Sequence, residues 1–335
     1  MLRIALPSND RFLNSTTSFL EKCGLIVDRE SGRSYTAQIN GIPDSVALFQ
    51  RAIDITQKVS EGSVDLGIVG LDGYMEARLD DSDTFILMDD LGYSRCELIL
   101  AVPDSWIDVT SVFDLADLSV TMREEGQELR VATKYPRLTQ KFLYSKDLNY
   151  FSLIGAAGAM EAAPMMGYAD MISDIVQTGV TIRENRLKPI SEGTILRSQA
   201  VLIGNKKTLR EDPNRLESTR ILLEMVESSR AANRFYRLNA NIQGQSENDI
   251  AAAVTKRPET AGIQGPTIAP LHSKSTPKAK WYDVTIIVKK DDLMTAVDHL
   301  RAVGGSEIIA TPVAYVFQNE SISYQRLLNA TQETK

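Results

Sequence analysis

The stretch Met171–Ile182, MISDIVQTGVTI, constrains the fold more tightly than any other part of this chain. Met171 to Val176 is a short apolar run carrying a single carboxylate, Asp174, a pattern that suits a buried strand. Gln177-Thr178-Gly179-Val180-Thr181 follows, and a small hydroxyl residue before Gly lets the backbone turn tightly. Thr181-Ile182-Arg183-Glu184 fits the Thr-x-x-Glu capping box and predicts a helix that starts at the far end of the loop. Unpaired N–H groups at such a turn, together with the helix dipole, favour a phosphate. Asp174, just before the turn, is of the type that accepts ribose hydroxyls, so the stretch reads as a ribose-phosphate cradle. Taken alone, the five-residue loop fits an ordinary turn equally well.

The same alternation recurs along the chain. Leu2–Leu6 is a strand, and Pro7-Ser8-Asn9-Asp10-Arg11 is the loop at its carboxyl end, where open α/β sheets bind ligands. Leu13, Thr17, Leu20 and Cys23 share one face of the next helix, stopped by Gly24. Val46–Gln50 fits a strand or the first turns of a helix; the strand is preferred, with a helix from near Asp54. Asp65–Gly70 is a buried strand leading to Leu71 and Asp72. Cys96–Val102 is another strand, with Arg95 leading in and Glu97 inside it. From Pro103 the pattern restarts, with strand Leu129–Ala132, helix Pro136–Tyr144, strand Phe151–Ile154, helix Ala159–Gly167 and the cradle. Thr133-Lys134-Tyr135-Pro136 sits at a strand's carboxyl end, where an aromatic either packs on a base or lies beneath its own loop. Gln199–Gly204 returns to the first lobe. The expected core is α/β and two-lobed, with residues 1–102 and 191–213 in lobe I and 103–190 in lobe II.

A connecting helix over 214–233 leads to a third part, 234–318, of different character. Strand Phe235–Asn241, helix Glu247–Lys256, strand Gly265–Pro270, loop Lys274–Lys280, strand Trp281–Val288, helix Asp291–Val303 and strand Glu307–Phe317 follow the ferredoxin-like order βαββαβ. The polar tail after Gln318 is expected to fray.

A formal charge of −7 over 335 residues argues against a nucleic-acid surface, which needs clustered Lys and Arg. Cys23 and Cys96 form neither a disulfide framework nor a metal spacing, and two histidines, His272 and His299, exclude a His-rich zinc site. MLRIALP enters a strand directly, without the features of a signal peptide. No apolar run approaches the roughly 20 residues of a membrane span. A cytoplasmic location is expected.

Glu161, Gly167, Ala169-Asp170, Asp174, Thr178-Gly179 and Thr181 together resemble the signature of the ATP phosphoribosyltransferases. These pentosyltransferases (glycosyltransferases) join ATP to phosphoribosyl pyrophosphate (PRPP) in the first step of histidine synthesis. DLGIVG at 65–70 and the loop Ala132–Pro136 resemble the family too. Ile263–Pro270 and Leu300–Ser306 resemble the C-terminal domain of its long form, which binds histidine as feedback inhibitor. Two loops depart from the family pattern: Ser8-Asn9-Asp10 replaces a basic run before Arg11, and Glu97 stands where several members carry a basic residue. The resemblance implies a periplasmic-binding-protein-like catalytic core with a ferredoxin-like regulatory domain. It implies PRPP binding by Glu161, Asp174, Thr178, Gly179, Val180 and Thr181, and ATP binding by Arg11, Leu71, Asp72 and Tyr135. Histidine would be bound by Asn241, Ile263, Gly265, Thr267 and Ser306, with Asn241 where some relatives have an acidic residue. Mg²⁺ is implied with its ligands unassigned, as is a homo-oligomer (dimer or hexamer) without a separate regulatory subunit.

N1 of adenine already has a free lone pair, so such a reaction needs no activated nucleophile, and no catalytic residue is assigned. Two other classes fit a two-lobed cleft: a binding protein that captures a small anion, and a catalytically silent relative acting as a regulatory subunit. Pyrophosphate release requiring both ATP and PRPP separates all three.

Overall fold

The computed structural model describes residues 1–8, 10–155, 160–272 and 280–332. The chain opens with β1 (Leu2–Pro7), α1 (Asp10–Lys22), β2 (Ile26–Asp28), β3 (Thr36–Asn40) and β4 (Ser45–Gln50). It continues through α2 (Ala52–Ser60), β5 (Leu66–Gly70), α3 (Leu71–Ala77), β6 (Thr84–Met88) and β7 (Cys96–Pro103). Next come α4 (Val112–Glu124), β8 (Leu129–Thr133), α5 (Pro136–Ser145), β9 (Phe151–Gly155), β10 (Met171–Val176) and α6 (Val180–Glu184). Then follow β11 (Leu187–Ser198), β12 (Ala200–Asn205), α7 (Lys206–Glu211) and α8 (Pro213–Ala232). The last part is β13 (Phe235–Gln243), α9 (Glu247–Val254), β14 (Thr267–Leu271), β15 (Trp281–Lys289), α10 (Leu293–Ala302), β16 (Gly305–Pro312) and α11 (Ile322–Gln332).

These elements fall into two compact units, Met1–Glu21 with Leu25–Thr219 and Ser323–Lys335, and Lys22–Gly24 with Arg220–Ile322. The first unit holds two sheets. One runs β2-β3-β4-β1-β5-β12-β6, with β1 parallel to β4 and β5; the other runs β11-β7-β10-β8-β9, with β8 parallel to β9 and β10. Largely apolar strands such as β5 and β12 are buried on both faces, as a sheet covered by helices requires. A Cβ on Gly67 would meet Ile55 at 2.6 Å, so glycine here lets α2 lie close on β5.

The two sheets share one local device. Arg3 in β1 gives its N–H and guanidinium to Asp65 just before β5, and Nη2 also reaches the Gly62 carbonyl. Arg130 in β8 does the same to Asp170 just before β10, with Nη1 on the Gly167 carbonyl. The register matches as well, Ile4 against Leu66 and Val131 against Met171. Each clasp pins two neighbouring parallel strands at the end opposite their ligand-facing loops.

Strand pairing moves the expected lobe boundaries. β7 pairs antiparallel with β10 (Ala101 against Ile172) and with β11, so Cys96–Pro103 and Leu187–Ser198 both lie in the second sheet. The chain therefore crosses between sheets at 89–95 and again at Gln199, not at 102 and 191. Apolar alternation marks a strand but not its partner. The expected helix Ala159–Gly167 is a 3-10 turn at Met160–Ala162; Pro164 and the left-handed Gly167 (φ 75°) stop any longer helix, and Ala159 lies outside the described residues. The capping box at Thr181 does not form either. Helix α6 starts at Val180 with Gly179 as its N-cap, which puts Thr181 inside the first turn.

In the second unit β13, α9, β14, β15, α10 and β16 follow one another in the ferredoxin-like order, and the sheet runs β14-β15-β13-β16. Leu238, Ala240, Ile242, Val284, Ile286 and Leu300 form its core. The final strand ends at Pro312, not Phe317, where Pro cannot extend the ladder. Most of the loop expected over Lys274–Lys280 lies outside the described residues. The tail expected to fray contains α11, whose Leu327 is fully buried.

Candidate active site

β10 carries Asp174 toward the end of the second sheet, between β7 and β8. Its Oδ1 accepts the N–H of Ile175 at 2.8 Å. Burial holds the Asp174 carboxyl above the ordinary aspartate range; the Ile175 hydrogen bond and the Lys134 charge pull it down, and Glu161 pushes it up. Lys134 follows Thr133, the last residue of β8, which pairs with Ser173, the residue before Asp174. After β10 the chain turns through Thr178 and Gly179, the latter left-handed at φ 71°. The first helical bond of α6 runs from the Arg183 N–H to the Gly179 carbonyl. The N–H groups of the first turn are thus left for an outside acceptor. A Cβ on Gly179 would meet nothing closer than Arg183 Nη1 at 3.6 Å, so the space before the turn is open.

A side chain from the first lobe reaches this loop. Arg11, in the first turn of α1, donates from Nη2 to Gln177 Oε1 at 2.6 Å. Arg51 leaves the carboxyl end of β4, 80% exposed, held by Asp54 at 2.8 Å. Asp72, in the first turn of α3, accepts the Ser198 hydroxyl at Oδ1 (2.6 Å) and the Tyr135 hydroxyl at Oδ2 (2.8 Å). Burial, followed by the Asp72 charge, pushes the Tyr135 phenol well above its ordinary range. That hydroxyl is engaged across the two sheets. Leu71 donates its N–H to the Gln199 carbonyl at the second chain crossing. Burial and Asp72 push the Cys96 thiol up to about 11, so it is no thiolate nucleophile.

A cavity of about 570 Å³ opens beside the cradle, lined by Arg95, Cys96, Glu97, Gln177, Thr178, Gly179 and Arg197 among others. Glu97 does not leave the region acidic, because Arg197, its neighbour in register on β11, pairs with it at 3.0 Å. Arg95 pairs with Asp90 at 2.9 Å. Arg197 escaped the sequence reading, because it is visible only through strand register.

In the second unit Asn241 and Ser306 are register partners, and the Ser306 hydroxyl donates to the Asn241 carbonyl at 3.2 Å. Thr267 lies on β14 opposite Thr285, whose hydroxyl accepts the Asn239 amide at 2.7 Å. Ile263 is exposed, and Gly265 has φ 143° beside the turn at Gly262. The acidic groups of this sheet face are ones the sequence reading passed over. Asn241 Nδ2 donates to Glu307 at 2.7 Å, and Asp283 pairs with Asn241 in register. Glu307 sits at a bulge with φ 50°, which turns it toward Asn241.

Two mixed sheets joined by two chain crossings, with polar loops at the carboxyl ends of their parallel strands, define a two-lobed α/β protein of the periplasmic-binding-protein type, here with a ferredoxin-like domain. The ATP phosphoribosyltransferase family model matches residues 51–227, and the model of the HisG C-terminal domain matches 232–315. ATP phosphoribosyltransferase 2, chloroplastic, of Arabidopsis thaliana is 37% identical over 98% of this chain and 80% of that protein. An ATP phosphoribosyltransferase of Rhodopseudomonas palustris (strain BisA53) is 30% identical over 97% of this chain and 96% of its own length. Among solved structures, the ATP phosphoribosyl transferase (HisG:HisZ) complex of Thermotoga maritima superposes with a TM-score of 0.53 at 25% identity, covering 68% of this chain and 96% of that one. The chain belongs to the ATP phosphoribosyltransferase family, the pentosyltransferases that start histidine biosynthesis.

Proposed function

We propose that this chain transfers the phosphoribosyl group of PRPP to N1 of ATP, giving phosphoribosyl-ATP and pyrophosphate. The observation that carries the reading is the cradle: a half-buried Asp174 followed by a left-handed Gly179 and an uncapped helix start, within a region matched to the family. In this reading the N–H groups from Thr178 to Thr181 hold the 5′-phosphate, Val180 included, and Asp174 takes the ribose hydroxyls. Glu161 and Lys134 flank the ribose, with Lys134 toward the pyrophosphate. ATP lies on the first-sheet side, against Arg11, Leu71, Asp72 and Tyr135, with Arg51 as a further phosphate contact. Catalysis then consists of holding two polyanions in line and stabilising the departing charge.

Glu161 and Asp174 share one electrostatic field, and among the described residues no three His, Cys, Asp or Glu side chains form a metal cage. That donor set fits Mg²⁺, which takes one or two carboxylates and completes its shell with phosphate oxygens and water. Bound there, it would supply neutralisation of the pyrophosphate charge. The second unit supports histidine feedback, since Thr267, Asn241, Ser306 and Glu307 offer hydroxyl, amide and carboxylate partners to an amino acid. We further infer a homo-oligomer, dimer or hexamer, that works in the cytoplasm without a separate regulatory subunit; among the described residues no helix is long and apolar enough to cross a membrane. Purified chain with Mg²⁺ is expected to release pyrophosphate only when both ATP and PRPP are present. Release with either substrate alone, or none from folded protein that binds both, rejects the assignment.

A further inference from the structure

Helix α5 begins without a cap of its own. Its N-cap residue is Tyr135, which makes no side-chain cap hydrogen bond, and Pro136 occupies the first helical position. The cap comes instead from α3 on the other sheet. Glu76 accepts the Arg137 N–H at Oε1 and the Leu138 N–H at Oε2, both at 2.9 Å. The Arg137 guanidinium donates to the Arg78 carbonyl just past the end of α3. One turn back, Asp72 accepts the Tyr135 hydroxyl. Asp72 and Glu76 are four residues apart and so lie on one face of α3. That face docks on the first turn of α5.

We propose that Glu76 is a positioning residue for the transfer reaction, fixing the register of the two lobes by capping a helix of the opposite one. The inference rests on the reading above, in which each lobe presents one substrate. The loop before α5 carries Lys134 and Tyr135 from the end of β8, where Thr133 pairs with Ser173, the residue before Asp174. The first turn of α3 carries Leu71 and Asp72 on the first-sheet side. In-line attack between substrates on different lobes is sensitive to displacements of about 1 Å, which cost on the order of 100-fold in rate. A cap from within α5 would satisfy the same N–H groups, but only a cap from α3 also locks the loop of one lobe to the turn of the other.

The test uses the full chain, with Glu76→Ala and the milder Glu76→Gln, which keeps one acceptor oxygen. For Glu76→Ala, kcat per folded molecule is expected to fall about 10- to 100-fold, while the PRPP Kd measured by calorimetry moves less than about 2-fold, because the cradle lies wholly on the second sheet. Glu76→Gln should fall between Ala and wild type. Spin labels on Ile53→Cys and Tyr144→Cys, exposed positions on α2 and α5, read the lobe spacing without turnover. Their distance distribution should broaden in both Glu76 variants. A lowered thermal midpoint with unchanged kcat and an unchanged distribution overturns the proposal and leaves Glu76 a local cap. Absence of turnover in the wild type would instead reject the functional reading, and the label distances would still decide whether Glu76 locks the lobes.

Discussion

Asp174, which the proposed function assigns to the ribose, is buried at a cost in stability. Its carboxyl titrates above the ordinary aspartate range, chiefly because it is buried. The folded state therefore holds this proton more tightly than the unfolded chain. Stability falls as pH rises from the ordinary range through the raised folded value, and stays lower at neutral pH. Asp174→Asn removes the charge, so its thermal midpoint at pH 7 is expected to exceed that of the wild type, with the difference closing in acid. Turnover should fall about 10- to 100-fold, as for a lost charge-assisted hydrogen bond. A lower midpoint at pH 7 or unchanged turnover contradicts this account. At Gly179 the cost is backbone conformation, since a Cβ finds room but φ is 71°. Gly179→Ala is expected to weaken PRPP binding about 5- to 30-fold, the equivalent of the roughly 1–2 kcal/mol an L-residue costs in the left-handed region. Titration calorimetry measures it, and an unchanged Kd would place the phosphate elsewhere. These two residues were legible because the cradle is contiguous in sequence. Arg197 was not, because it joins the site through the register of a neighbouring strand.

Among elements, the paired strands β1/β5 and β8/β10 use the same arginine–aspartate clasp in different surroundings. Asp65 is fully buried and serves both Arg3 at 2.8 Å and Arg215 at 3.1 Å. Among the described residues the Asp170 carboxylate serves Arg130 alone, and that guanidinium is 40% exposed. Removing one partner of a buried ion pair costs about 3–5 kcal/mol, whereas an exposed one costs about 0–1 kcal/mol. Asp65→Ala should therefore lower the denaturation midpoint far more than Asp170→Ala; equal losses would mean that burial does not set the cost. Periodicity located most strands and helices of both sheets, since apolar runs ending in Gly or polar loops are a local signal. It missed β11 and misplaced β7, because pairing depends on residues 70 or more positions away. It also took α11 for a frayed tail. That helix has few apolar residues, yet its Leu327 is fully buried and Arg326 donates to the Leu87 carbonyl of β6 at 3.1 Å.

At the scale of the whole molecule, the second unit is an insertion: the chain leaves the first unit after Thr219 and rejoins it at Ser323. Ending the chain near Asn233 therefore removes α11 from the first unit together with the ferredoxin-like sheet. Loss of histidine response in such a truncation would mix two causes. Point variants on the open face of that sheet separate them. Thr267 lies across from Thr285, two residues from Asp283 on the same strand, so a hydroxyl on β14 and a carboxylate on β15 stand on neighbouring strands of the same small sheet. An amino acid presents a cation and a carboxylate to such a face, and a hydrogen bond to a charged group contributes about 1.5–3 kcal/mol. Histidine inhibits from a distance only if it prefers one of two global states. Thr267→Ala and Asp283→Ala are each expected to raise the histidine needed for half-inhibition by about 10-fold or more, with every rate referred to that variant's own uninhibited turnover. The pattern of inhibition should be non-competitive with both ATP and PRPP. Competition with either substrate, or equal inhibition of wild type and both variants, would remove histidine from this sheet.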